Sequence, residues 1–130
     1  MEESIRKADI LIEAIPYIQA FRGKVIVAKY GGSALDNAAA MRGILQDLIF
    51  LSTVGIRSVL VHGGGPAITR RLSALGRQTR FIDGIRVTDR RAVRVVRQAL
   101  GDVNRRLVAQ IRSLGGHAEA LTAERRVFWI

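Results

Sequence analysis

The sequence predicts an α/β sandwich with a mainly parallel sheet, and three observations carry that prediction. Two short β-branched runs, Lys24–Tyr30 and Arg57–His62, each stop in glycines. Stretches with apolar residues at helical spacing alternate with them. The resulting order, β-α-β-α-(β)-α-α-β-β behind a leading helix, is that of crossover-connected strands covered by helices.

Each element has a local reason. Residues 4–20 place Ile5, Ala8, Leu11, Ile12, Ile15 and Ile18 at helical spacing, and Pro16 predicts a kink near Ala14–Ile15. Lys24–Tyr30 reads as a buried strand stopped by Gly31-Gly32. Asp36 or Asn37 can cap a helix reaching about Val54, with Gly55 as its stop. After the second strand, Gly63–Gly65 turn the chain and Pro66 suits the first turn of a helix to Leu75, ended by Gly76. Arg80–Val87 is extended around Gly84. Thr88 or Asp89 caps a helix to Leu100, Gly101 breaks it, and Asp102–Leu114 resumes helical spacing up to Gly115-Gly116. Ala118–Thr122 and Arg126–Ile130 read as two more strands. The closing Val127-Phe128-Trp129-Ile130 would leave an apolar edge strand, which predicts further chain or a cover.

Composition narrows the function classes. The chain has 130 residues, one domain's worth, and is 48% hydrophobic, enough for a core. No apolar run approaches the roughly 18–20 residues of a membrane span. The charged start, MEESIRKADI, has no signal-peptide order, so a cytoplasmic protein is expected. The absence of Cys removes disulfides, thiolate zinc sites and cysteine nucleophiles, and two histidines are too few for a histidine-built metal site. The net charge of +10 admits nucleic acid as a partner class. The arginines run from Arg6 to Arg126 and are densest at 86, 90, 91, 94 and 97, with no interleaved aromatics or recognised nucleic-acid motif. They are read as a solvated helix face, with an acidic partner or nucleic acid, or an anionic-substrate site, as the alternatives; neither a nucleic-acid nor a membrane partner is expected.

The two glycine turns are the most informative local feature. Lys29-Tyr30-Gly31-Gly32-Ser33 and His62-Gly63-Gly64-Gly65-Pro66 both follow strands. In open parallel sheets ligands bind at the carboxyl ends of strands, beside helix N-termini whose bare N–H groups suit anions. A lipase-type oxyanion hole would need a Gly-x-Ser-x-Gly elbow, and none of the serines is so flanked. No P-loop and no G-x-G-x-x-G fingerprint is present. Lys29 lies near the end of an apolar strand. It either stabilises a transferring phosphoryl group or snorkels to water.

Four segments in order, Lys29-Tyr30-Gly31-Gly32-Ser33-Ala34, Val61-His62-Gly63-Gly64-Gly65-Pro66, Gly84-Ile85-Arg86-Val87-Thr88-Asp89 and Gly101-Asp102-Val103-Asn104, resemble the amino-acid kinase family. The resemblance runs from about residue 8 to about 118. It implies a three-layer α/β sandwich, with residues 1–22 as an oligomerisation or regulatory helix and 23–130 as the acceptor-substrate lobe. The nucleotide-binding lobe would be absent from this chain. It implies phosphoryl transfer from MgATP to the γ-carboxylate of N-acetyl-L-glutamate, in arginine biosynthesis, with the metal carried by the phosphates and no protein ligand here.

Residue by residue, the resemblance implies that Lys29 stabilises the transferring phosphoryl group. Gly31 and Gly32 bring N–H groups to the ATP phosphates, Gly64 and Gly65 hold the acceptor, and Arg86 pairs with an acceptor carboxylate. His62 and Asn104 are expected as structural residues. Tyr17 is a candidate contact for an arginine effector or a packing residue on a neighbouring helix, and homo-oligomers, dimer or hexamer, follow from the same resemblance. The chain departs from the family after Gly116-His117-Ala118, where Glu119-Ala120-Leu121-Thr122-Ala123-Glu124 replaces the usual glycine-bearing continuation. The isolated chain is therefore expected to turn over ATP poorly. A non-catalytic arginine-sensing relative and a sister amino-acid kinase are the alternatives.

Overall fold

The computed structural model describes residues 1–31 and 37–122. Among them the elements run α1 (Glu2–Phe21), β1 (Val25–Tyr30), α2 (Ala38–Thr53), β2 (Arg57–His62), α3 (Gly65–Ala74), β3 (Phe81–Ile82), β4 (Ile85–Arg86) and α4 (Arg90–Ser113). No helix among the described residues is long and apolar enough to cross a membrane.

β1 and β2 pair in parallel, with Lys29 beside Val61 and Tyr30 beside His62. The crossover between them is α2, capped by Asn37, whose side chain accepts from the Ala40 N–H at 3.0 Å. Asp36 lies outside the described residues. Gly55 takes φ +89 where α2 stops, a conformation only glycine adopts cheaply. The strands alternate strictly in burial. Tyr30 and Leu60 turn inward onto Met41, Leu45, Val103 and Leu107 of α2 and α4. A second cluster, Ile68, Leu72, Ala92 and Ala99, joins α3 to α4.

The other face of the two strands carries Val25, Val27, Lys29, Val59 and Val61, all exposed. The expected burial of β1 on both faces is thus corrected to burial on one. The helical layer on α2 and α4 is present, and nothing among the described residues covers the second face.

Two further expectations are corrected. Gly101 does not break a helix: α4 continues through it for 24 residues. One interior glycine costs about 1 kcal/mol relative to alanine. The buried face on both sides of it, Ala92 and Ala99 before, Val103 and Leu107 after, outweighs that. Ala118–Thr122 forms no strand; it runs as coil, held where Asn104 donates to the Leu121 carbonyl at 3.0 Å. Pro16 lies within α1, which is assigned as one helix from end to end. The strand expected over Arg126–Ile130 falls outside the described residues.

Candidate functional site

Because β1 and β2 are parallel and in register, their carboxyl ends open at the same end of the sheet. There the two glycine turns touch. The Gly63 N–H donates to the Tyr30 carbonyl at 3.1 Å. A Cβ on Gly63 would sit 3.9 Å from the Gly31 Cα, so the backbones run side by side. Gly64 precedes α3 as its N-cap and supplies no side-chain cap, so the first-turn N–H groups are left without a side-chain acceptor. A Cβ on Gly64 would approach Leu100 Cδ2 to 2.7 Å, whereas one on Gly65 would meet nothing within 4 Å among the described residues. The turn is therefore packed against α4 on one side and open on the other. A helix start of this kind favours an anion through its N–H groups and its dipole.

Arg86 reaches the same place from the β3–β4 hairpin. That hairpin turns on Asp83 and Gly84, at φ +49 and +76, as a two-residue turn with both central φ positive requires. It thereby aligns Ile82 with Ile85 and Phe81 with Arg86. The Arg86 guanidinium stacks 4.8 Å from the Phe81 ring centroid. Its Nη2 donates to Thr69 Oγ1 at 2.8 Å and to the Gly65 carbonyl at 3.2 Å, and its Nη1 to Thr79 Oγ1 at 3.1 Å. These contacts use three of the five guanidinium donors, and two remain for a ligand. A preoriented cation thus stands against the open side of the third glycine.

The structure brings Gly31, Gly64, Gly65 and Arg86 together. Gly32 lies outside the described residues. Lys29 sits two residues before Gly31 on the open face of the sheet, exposed and beside Val61. His62 is structural in its visible contact: Nδ1 lies 3.0 Å from the Gly63 carbonyl, which puts the proton on Nδ1 there. Tyr17 is exposed on α1, which has no buried residue. Sequence reasoning missed Thr69, Thr79 and Phe81. They carry no motif, and only the spacing of Thr69, one helical turn after Gly65, could have pointed to one of them.

Two carboxylates brace the frame around the site. Asp89 caps α4 by accepting from the Ala92 N–H at 2.6 Å and pairs with Arg77 at 2.6 Å. The cap bond first, and Arg77 second among the lowering influences, hold its carboxyl below the ordinary value near 3.8. Asp102 ties α4 to α3 through Arg71 and also meets Arg105. The hydrogen bond from Arg71 is the main reason its carboxyl also titrates low. A separate groove of about 540 Å³ follows the helical side of β2, between α2, α4 and residues 115–121. Its lining is mostly apolar and does not include Arg86 or Gly65.

The model of the amino acid kinase family matches residues 24–125. An acetylglutamate kinase from Desulforamulus reducens is 46% identical over 95% of this chain, which covers 43% of that protein. The chain spans about two fifths of the length of the curated relatives it matches. Among solved structures, N-acetylglutamate synthase from Neisseria gonorrhoeae with coenzyme A and N-acetyl-glutamate superposes with a TM-score of 0.65 at 34% identity, over 78% of this chain and 24% of that one. The same synthase with coenzyme A and L-arginine gives 0.63 at 34% identity, over 85% and 25%.

Proposed function

The chain belongs to the amino acid kinase family, and we propose that it is the acceptor-binding part of an acetylglutamate kinase. Such an enzyme moves the γ-phosphoryl group of ATP to the γ-carboxylate of N-acetyl-L-glutamate. The observation that carries this reading is the juxtaposition of the Arg86 guanidinium with Gly65 at the start of α3. Fork, bare N–H groups and helix dipole together offer a carboxylate-binding cradle.

In this reading Arg86 binds one carboxylate of the acceptor, while Gly64 and Gly65 hold it with backbone donors. Gly31 and Gly32 present N–H groups to the ATP phosphates. The surroundings of Gly31, where a Cβ would meet, among the described residues, only the Gly63 nitrogen at 4.0 Å, fit a phosphate group. Lys29, extended on the open sheet face beside this turn, stabilises charge on the phosphoryl group in flight. ATP would bring its magnesium ion, which neutralises charge on the phosphates. The remaining nucleotide contacts would come from a second lobe, and the isolated chain would transfer phosphoryl groups poorly. A biosynthetic kinase of this kind would work in the cytoplasm. The exposed apolar residues of α1, among them Ile5, Leu11, Ile12 and Ile15, support an intersubunit role for that helix, with Tyr17 beside any arginine effector.

A second reading is favoured by two of the solved neighbours, both structures of an N-acetylglutamate synthase, one of them with L-arginine. In it the chain belongs to a kinase-like domain that senses arginine without transferring phosphate. Calorimetric titration separates the two. The kinase reading expects heat from N-acetyl-L-glutamate and little from L-glutamate, whose free ammonium replaces the acetamide. Binding of L-arginine without binding of N-acetyl-L-glutamate would favour the sensor and sink the kinase reading.

A further inference from the structure

The positive charge of this chain is concentrated in one part of the fold. Between residues 70 and 112 there are twelve Arg, no Lys and three Asp, so this stretch holds +9 of the net +10. The rest of the chain is balanced to within one charge. Within the stretch, α4 carries Arg90, Arg91, Arg94, Arg97, Arg105, Arg106 and Arg112 against a single acid, Asp102.

The helix sorts these arginines. At about 100° per residue, Arg90, Arg94, Arg97 and Arg105 fall within an arc of about 80°. That arc lies opposite the face buried by Ala92, Ala99, Val103 and Leu107. Between residues 90 and 105 the only other residue in the arc is Gly101. All four arginines are exposed, and Arg91 flanks them. Arg105 shares Asp102 with Arg71, so that end is partly neutralised. The stripe runs for about 22 Å along the axis.

We propose that this stripe docks the phosphodiester backbone of a nucleic-acid duplex, without reading its sequence. Charge complementarity is the first argument: a line of guanidinium groups matches a line of phosphates. Length is the second. About 22 Å covers about six steps of one duplex strand at 3.4 Å per step. The make-up of the stripe is the third. A protein partner needs an apolar or aromatic centre to its interface, and a single strand needs aromatic platforms. This stripe offers neither, which favours the backbone of a duplex. The assignment is independent of the phosphotransfer reading, because Arg86 and the glycine turns lie outside the stripe.

The test is fluorescence anisotropy of a labelled 20-base-pair DNA duplex titrated with the chain between 50 and 200 mM KCl. Four phosphate contacts give log K against log salt a slope of about −3 to −4. R90Q/R94Q/R97Q should reduce that slope by about 2 to 3, and R90Q or R94Q alone by about 1, so the single variants decide if the triple fails to fold. R6Q/R22Q/R57Q removes as much charge from elsewhere on the surface and should leave the slope unchanged. No salt-dependent binding at 50 mM overturns the proposal, as does an equal loss in R6Q/R22Q/R57Q. Tighter binding of poly-L-glutamate than of the duplex would assign the stripe to an acidic protein, and would overturn it too.

Discussion

Arg86 meets any ligand with its guanidinium already held, by Thr69 and the Gly65 carbonyl on one side and Thr79 on the other. Its cost of ordering is therefore met in the folded chain, and its contribution to binding should be large. Arg86→Ala is expected to weaken N-acetyl-L-glutamate binding by about 10- to 100-fold, since a hydrogen bond to a charged group contributes about 1.5–3 kcal/mol. Thr69→Val keeps the charge and removes one of the three bonds that orient the fork, and should cost less, about 3- to 10-fold, because Thr79 and the Gly65 carbonyl still hold it. Calorimetry of the two variants checks both. Lys29→Ala should leave acceptor affinity within about twofold. In a polypeptide carrying the nucleotide lobe it should lower phosphoryl transfer by about 100- to 1000-fold, the range typical of a lost charge-stabilising donor. Arg86 and the glycines were legible in the sequence because glycine turns after strands have few uses and because the four segments occur together. The bracing of Arg86 was not legible. Thr69, Thr79 and Phe81 are ordinary residues that become partners only when the hairpin folds back on α3.

The elements are held by caps and ties that can be removed singly. Asn37→Ala deletes the side-chain cap of α2 and should cost about 1 kcal/mol, read from the urea midpoint. Gly116 is wedged between two helices: a Cβ there would lie 2.6 Å from Ile49 Cγ1 and 2.9 Å from Ile111 Cγ2. Gly116→Ala should therefore destabilise through overpacking, by about 1–3 kcal/mol. Asp89 and Asp102 both titrate below the ordinary carboxylate value near 3.8. A depressed folded value means their stabilisation is present above about pH 4 and is lost as pH falls through the lower folded values. D89N/D102N should flatten the dependence of the thermal midpoint on pH below about 4; an unchanged slope would contradict the assignment. Strand and helix identities were readable from periodicity and caps. The continuity of α4 was not, because a mid-helix Gly101 looks like a stop until the apolar residues on both sides are seen to share one buried face. The coil at 118–122 was missed because alternation alone cannot supply the neighbouring strand that a strand needs.

At the scale of the whole molecule, one face of the β1–β2 sheet is packed and the other is uncovered among the described residues, with Val27 64% exposed. The packed side contains Leu45, 1% exposed. Leu45→Ala should cost about 2–5 kcal/mol, a large share of the stability of a small domain. α1 likewise presents apolar residues without burying any. Removing residues 1–22 should lower the oligomer mass in sedimentation velocity, and an unchanged mass would exclude α1 from the interface. The account's central claim is that the start of α3 and Arg86 form one carboxylate site. The most direct measurement is a nitrogen-15 shift map during titration with N-acetyl-L-glutamate. The account predicts that the Gly64, Gly65 and Ala67 amides and Arg86 Nε move together, with one dissociation constant, and that Arg86→Ala raises that constant by the same factor, about 10- to 100-fold, at all three amides. Shifts confined to the groove along β2, around Leu60, Leu107 and Ile111, with Gly65 and Arg86 silent, would contradict it.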